Sequence, residues 1–366
     1  MNFNEIFSAG KISTQFWKEN KNVLKNVNDV NNINYILWVS NNSKNIIINL
    51  LSWHNLWDSF EFSEQFNDKK NIEYIWHSSD ILKIFMDKFE TKIFLKDKWF
   101  DVTNWFLIDF SENFKEKILS ELKFPILIKE VDNLWGAWID ILKCDLDLEK
   151  FIFDKEKRYL AEEFISWEEY SWNIFSHKLN ENDILWNKTV EIFPPIEKWE
   201  TWISDDNKPK HSLNKVRKTF FDKDIEKEIR NISLEIWKID WVNWFLEIEF
   251  IYDKSDKKLK IIEVNPRPSW TLSMALESCD LRIKDFLNNL KNSSNCTNNL
   301  LQIKHCVEIP IVHDNPDFKS TDINIPSKSR IFSKKELRKF PPYAENYWIE
   351  FDEKGDAEEF IKNIKF

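Results

Sequence analysis

Residues 261–270 read IIEVNPRPSW, and a second apolar and acidic run, FLEIEFIYD, precedes them at 245–253. The polar segment DKSDKK lies between the two, so they read as a β-hairpin. Side chains alternate along a strand. Glu247 and Glu249 therefore share one face of the first strand, and Glu263 and Asn265 share one face of the second. Pairing brings a Glu from one strand against a Glu and an Asn from the next. Oxygen ligands grouped this way suit Mg2+, which also takes phosphate oxygens. Arg267, two residues on, is placed to bind an anion that the metal leaves uncovered. Acidic residues on strands are commonly solvent-facing, so spacing alone leaves both readings open.

A second stretch points the same way. FPILIKE (124–130) has the pattern of a buried strand ending in Lys129, and VDNLWGAWID (131–140) follows it. A loop that approaches phosphate through its backbone N–H groups needs glycine. Here Trp135 and Trp138 flank Gly136 and Ala137. The whole chain has 3 glycines and 19 tryptophans. Together they form about 6% of it, near the roughly 7% usual for glycine alone. Trp99 follows a Lys-rich helix end in KDKWFDV. Trp167 lies in a polar turn in EEFISWEEYS, and Trp241 and Trp244 flank Val-Asn before a strand. Trp270 follows Pro-Ser. These are poor places for a buried indole and good ones for glycine. The pattern is that of a gene in which UGA encodes glycine, translated with a code that reads UGA as tryptophan. High Asn, Lys, Ile and Phe content suits the AT-rich genomes where such recoding occurs. The competing reading is a truly Trp-rich protein such as a glycan binder.

The chain of 366 residues is long enough for two or three domains. Its net charge of −10 disfavours a nucleic-acid partner. No apolar run reaches the roughly 20 residues of a membrane span, and the first residues lack a signal-peptide core. Cys144, Cys279, Cys296 and Cys306 have no metal spacing and read as free thiols in a reducing cytoplasm.

Along the chain, residues 1–84 suggest a small α/β unit. Residues 81–98 read as one helix, and SENFKEKILSEL as a helix capped by Ser111. RYLAEEFI reads as a strand, or a helix passing into one, YSWNIFSHKL as a strand, and DKDIEKEIRNISLEIWKI as an amphipathic helix. A helical region follows the hairpin, then the linker-like KNSSNCTNN, then further strand and helix signals.

At this point the residues resemble a family. IIEVNPRPSW, with glycine for Trp270, is similar to the metal-binding strand of the ATP-grasp carboxylate–amine (or carboxylate–thiol) ligases. MDKFETKIFLKDKWF resembles the helix that supplies a phosphate-contacting lysine, here Lys88, and a family glycine eleven residues later falls on Trp99. FPILIKEVDNLWGAWI resembles the strand, second lysine (Lys129) and glycine-rich loop (Trp135, Gly136, Ala137, Trp138). Glu130 stands where the family commonly has proline. EEFISWEEYS resembles the hinge, where the Glu162, Glu163 and Ile165 region meets adenine largely through backbone and Glu169 bonds the ribose. FLEIEF matches the first metal strand, with Glu249 the better match to the ligand. Resemblance covers roughly residues 85–290.

The resemblance implies an α+β (α/β) ATP-grasp fold: two α+β lobes clasping ATP, preceded by a small α/β domain. Its expected divisions are 1–84 for the N-terminal domain, 85–160 for the small lobe with the phosphate loop, 161–292 for the large lobe with hinge and metal strands, and 293–366 for a C-terminal α+β extension. It implies ATP and Mg2+ or Mn2+ as cofactors, with the metal on Glu249, Glu263 and Asn265. Lys129 and Arg267 are the expected catalytic cations. Arg217 in HSLNKVRKTF is a further phosphate or substrate contact, or else part of an exposed basic turn. The implied activity is activation of a carboxylate as an acyl phosphate and its transfer to an amine or similar nucleophile, in the cytoplasm, without nucleic acid or membrane. Alternatives are a bicarbonate-activating, carboxylase-like enzyme and a non-catalytic nucleotide binder. The sequence does not identify the substrates or the oligomeric state.

Overall fold

The structure is a computed structural model describing residues 6–9, 24–27, 45–49, 72–75, 77–110, 113–131, 139–165, 168–178, 188–203, 209–211, 217–239, 244–267, 269, 271–281, 286, 302–313, 325–327, 329–338 and 343–363. Trp135, Gly136, Ala137 and Trp138, together with Trp167, Trp241 and Trp270, lie outside these residues, as does the KNSSNCTNN segment.

Three sheets organise the described residues. The first holds β1 (Ile6–Ala9), β2 (Leu24–Val27), β3 (Asn45–Asn49) and β4 (Ile72–Ile75), all parallel, in the order β2-β1-β3-β4. Parallel order is what an α/β unit requires. The second sheet, in the order β5-β8-β6-β7, is antiparallel: β5 (Trp105–Leu107), β6 (Ile126–Glu130), β7 (Ile139–Leu142) and β8 (Tyr159–Glu163). Its apolar side packs Ile126, Ile128, Leu142 and Ala161 against Ile118 and Leu122, with a ring of phenylalanines around Phe110 and Phe153.

The third sheet runs β15-β14-β9-β11-β13-β16-β18-β17, with β10 (Lys188–Ile192) paired to β9 and β12 (Pro209–His211) to β11. Its strands are β9 (Glu168–Lys178), β11 (Ile196–Ile203), β13 (Arg217–Lys218), β14 (Trp244–Asp253), β15 (Lys258–Asn265), β16 (His305–His313), β17 (Ser329–Arg338) and β18 (Tyr343–Phe351). One face of β9 and β14 is apolar. Tyr170, Trp172, Ile174, Leu246, Ile248 and Phe250 pack there with Ile229 and Ile236 of a long helix, Lys223–Trp237. Alternation sends the intervening residues, polar here, to the opposite face.

The β14–β15 hairpin has the expected partners but an interrupted ladder. Glu247 lies opposite Asn265 and Glu249 opposite Glu263, whereas Phe250 lies opposite Ile261. Ile262 is the extra residue of a β-bulge.

Residues 81–98 do not form the single expected helix. One helix covers Ser79–Met86 (α1) and another Lys88–Asp97 (α2). Asp87 breaks the run: its backbone is extended, and its carboxylate accepts from the N–H groups of Phe89 and Glu90 as an N-cap. The apolar spacing continues across the break, which hides it from sequence. The helix Phe114–Glu121 starts after Asn113, so Ser111 is not its cap residue.

The end of α2 carries the clearest tryptophan. Trp99 has φ 65° and is 95% exposed. The Trp99 N–H donates to the Lys96 carbonyl, and the Phe100 N–H to the Leu95 carbonyl. This is a Schellman termination, with Trp99 at the left-handed position that glycine ordinarily fills. Among the described residues no helix is long and apolar enough to cross a membrane.

Candidate functional site

The polar face of β9, β14 and β15 forms two rungs. Ser171, Glu249 and Glu263 make one, and Asn173, Glu247 and Asn265 the other. Apolar alternation in FLEIEF buries Leu246, Ile248 and Phe250 and so commits both glutamates to this face. The next strand in the sheet, β11, adds Lys198, whose Nζ lies 2.9 Å from Glu249 Oε1. Burial works against charge on Lys198, but Glu249, Glu247 and Glu169 outweigh it and raise its pKa. The face therefore already holds one cation against its carboxylates. Among the described residues there is no group of three or more His, Cys, Asp or Glu side chains of metal-binding geometry. The donor set is two carboxylates and an amide oxygen, which suits an Mg2+ ion that completes its shell with phosphate oxygens and water.

Arg267 is buried beside this face, its Nη1 3.6 Å from Glu247 Oε2, and its N–H donates to the Asn265 carbonyl at 2.8 Å. The Asn265 Nδ2 lies 3.4 Å from Glu247 Oε2, and Ser171 Oγ donates to Glu247 Oε1 at 2.7 Å.

The small sheet contributes lysines. Lys129, the penultimate residue of β6, sits 2.7 Å from Glu162 Oε2, while Lys92 of α2 sits 2.7 Å from Glu162 Oε1. Thr103 Oγ1 bonds the same carboxylate. Burial pushes the Glu162 carboxyl up, but Lys129 and Lys92 outweigh that and bring it to about 2. Burial holds Lys92 below its ordinary value against the pull of Glu162. For Lys129, burial is outweighed by Glu162, then Glu263 and Glu169, and its pKa rises. The Lys129 ammonium of the small sheet thus feels the carboxylates of Glu263 and Glu169 on the large one. Lys260 of β15 also bonds Glu163 at 3.1 Å, and Val102 bridges to Ile261.

Lys88 opens α2 and lies 3.5 Å from the carbonyl of Val131, the last described residue before the expected phosphate loop. Asp87 pairs with Arg158 at 2.6 Å. Glu130 is tied to Lys157 at 2.5 Å.

The carboxylates of Glu162 and Glu163 are both engaged, Glu163 accepting from the N–H and side-chain amide of Asn104 at 2.9 Å. The backbone of Glu162 is paired between β5 and β6, and the Glu163 N–H donates to the Asn104 carbonyl at 2.9 Å. Ile165 is half-buried just beyond β8, and Glu169 is buried on the polar face of β9. Arg217 lies on β13, where it donates to Glu308 Oε2 of β16 at 2.6 Å, and Asn346 of β18 bonds the other oxygen of Glu308 at 2.5 Å. Lys92, Lys198, Ser171 and Asn173 were not legible as site residues. Lys92 is four residues from Lys88, the helical spacing that places it on the same side of α2.

No family model matches the chain. The carbamoyl-phosphate synthase of Methanobrevibacter smithii is 23% identical over 277 residues, 74% of this chain and 69% of that relative. Among solved structures, the N5-carboxyaminoimidazole synthetase of Staphylococcus aureus complexed with ADP is similar with a TM-score of 0.71 at 14% identity, over 99% of this chain and 97% of that one. The biotin carboxylase domain of the Hydrogenobacter thermophilus 2-oxoglutarate carboxylase, in complex with MgADP, ADP and bicarbonate, gives 0.63 at 13% identity, over 96% of this chain and 87% of that one. These likenesses show that the chain has the ATP-grasp fold.

Proposed function

We propose that the chain is an ATP-dependent ligase that activates a carboxylate as an acyl phosphate and passes the acyl group to an amine. The observation that supports this reading is the polar face on which Glu249, Glu263 and Asn265 stand in register on the β14–β15 hairpin, with Arg267 and the Lys198 ammonium beside them. Such a site needs positioning and charge neutralisation more than a covalent nucleophile.

In this reading Lys88 and Lys129 hold the phosphates of ATP, and the loop of residues 133–138, outside the described residues, would close over them. The backbone of residues 163–165 meets adenine, and Glu169 the ribose. Glu249, Glu263 and Asn265 hold Mg2+, which when bound offsets the charge of the terminal phosphates. Arg267 and Lys129 neutralise charge that develops on the transferring phosphoryl group. A carboxylate oxygen attacks the γ-phosphorus as its bond to the β-phosphate oxygen breaks, leaving ADP. The amine then attacks the acyl carbon and phosphate departs.

Bicarbonate as the carboxylate is a second reading. It is favoured by the carbamoyl-phosphate synthase relative and by the neighbour complexed with bicarbonate. One experiment serves both. With an 18O-labelled carboxylate and a pool of amines, the label should appear in released phosphate. ATP binding without phosphate release in any pool would instead favour a non-catalytic nucleotide binder.

We also infer that many of the tryptophans stand where the gene encodes glycine through UGA. Trp99 supports this by its left-handed backbone and full exposure at a helix end. UGG codons at Trp99, Trp135, Trp138 and Trp270 would overturn it.

A further inference from the structure

The polar face carries two glutamates on β14, but their surroundings differ. Glu249 faces Glu263 and the Lys198 ammonium. Glu247 is buried and held from three sides: by Ser171 Oγ at 2.7 Å on Oε1, and by Asn265 Nδ2 at 3.4 Å and Arg267 Nη1 at 3.6 Å on Oε2. We propose that Glu247 is a positioning residue: it fixes the amide of Asn265 and the guanidinium of Arg267 and does not itself bind the metal. The inference rests on the proposed function.

The chemistry of the amide gives Glu247 this power. An ionised carboxylate only accepts hydrogen bonds, and an asparagine amide donates only through Nδ2. With Nδ2 turned to Glu247, Oδ1 is turned away from it. Only the oxygen end can ligate a hard cation. Glu247 thus selects the productive flip of Asn265, and its charge holds Arg267 in place.

The network extends along the turn after β15. Ser171 Oγ lies 3.0 Å from Thr271 Oγ1, which also lies 2.8 Å from Ser269 Oγ and accepts from Asn173 Nδ2 at 3.2 Å. Asn265, Arg267, Ser269 and Thr271, every second residue of the turn, are therefore tied directly or through one another to β9 and β14. A carboxylate at the centre of that lattice is not free to swing towards a cation.

The test is Mn2+ binding in the presence of ADP, followed by electron paramagnetic resonance, together with ADP binding without metal. Glu247→Gln removes the charge and gives Asn265 a partner that accepts or donates, so neither flip is selected. It should weaken Mn2+ binding by roughly 10- to 100-fold and change metal-free ADP affinity by much less. If Glu247 acts through Asn265, Glu247→Gln should cost little more once Asn265→Ala is already present. Full additivity of the two losses would mean that Glu247 ligates the metal directly, and would overturn the proposal. So would unchanged Mn2+ affinity in a folded Glu247→Gln chain, or an equal loss of metal-free ADP affinity. Should Glu247→Gln not fold, Ser171→Ala, which releases Oε1, carries the same comparison with a smaller loss expected. Failure of the wild-type chain to bind Mn2+ with ADP is a separate result and would remove the metal reading itself.

Discussion

Lys129 and Glu162 form a buried ion pair at 2.7 Å, and Lys92 occupies the other oxygen of the same carboxylate. One anion thus holds two ammonium groups inside the small sheet. Glu162→Gln would leave both lysines without their counter-charge. It should destabilise the fold by roughly 3–5 kcal/mol, read as a lower denaturant midpoint. The pH dependence has a definite sign. The carboxyl is at about 2 when folded, against an ordinary 4.5. Its contribution is full above pH 4.5 and is lost as pH falls through about 2. The variant should lose that acid-side slope, and an unchanged slope would count against the pair.

Glu263→Gln should abolish phosphate release while circular dichroism and thermal midpoint stay near those of the parent. Loss of one contact to developing phosphoryl charge costs roughly 3–4 kcal/mol. Retained turnover would refute the metal assignment.

Trp99 pays for its left-handed backbone with the steric penalty of a Cβ, roughly 1–2 kcal/mol. Trp99→Gly should raise stability by about that amount, since the side chain is solvent-exposed and gives up little packing. An equal or lower denaturant midpoint would be the opposing result.

The phosphate loop offers a stronger version of the same comparison. A chain with glycine at Trp135 and Trp138 should bind ATP more tightly than the literal sequence, because indoles there obstruct backbone approach to phosphate. Calorimetric titration of both chains decides it, and equal affinities would sink the idea.

At the C-terminal end of the sheet, Arg330 spans Glu277 at 2.7 Å and Glu350 at 2.6 Å. Burial, then the neighbouring Glu350, push the Glu277 carboxyl up to about 7. A raised acid stabilises the fold when protonated, so this contribution is full below pH 4.5 and fades as pH rises through about 7. Glu277→Gln should flatten the stability profile across that window, as followed by urea unfolding at several pH values.

The sequence revealed the hairpin because Glu247, Glu249, Glu263 and Asn265 alternate with apolar residues that have a core to enter. Lys129 was legible because it ends an apolar run. Lys198 was not: its strand lies among scattered charges, and its meaning comes from Glu249 two strands away in the sheet. Lys92 was hidden for a related reason, since Glu162 is distant in the chain. The break at Asp87 escaped notice because apolar spacing continues through it, and only the capping bonds to Phe89 and Glu90 expose it. Strict alternation also puts Ile261 on the face of Glu263, whereas its partner Phe250 belongs to the apolar side.

That discrepancy traces to Ile262. With one residue left over, the hairpin consists of two ladders of different phase joined at a single point. The outer ladder, from Phe250–Ile261 to Asp253–Lys258, ends at the turn. The inner ladder carries the site residues and is clamped on its other side by β9. Lengthening or shortening the turn displaces the outer ladder and stops at the bulge. The carboxylate frame is thereby insulated from the hairpin tip, which leaves the tip as the natural place for this chain to accept insertions without retuning its chemistry.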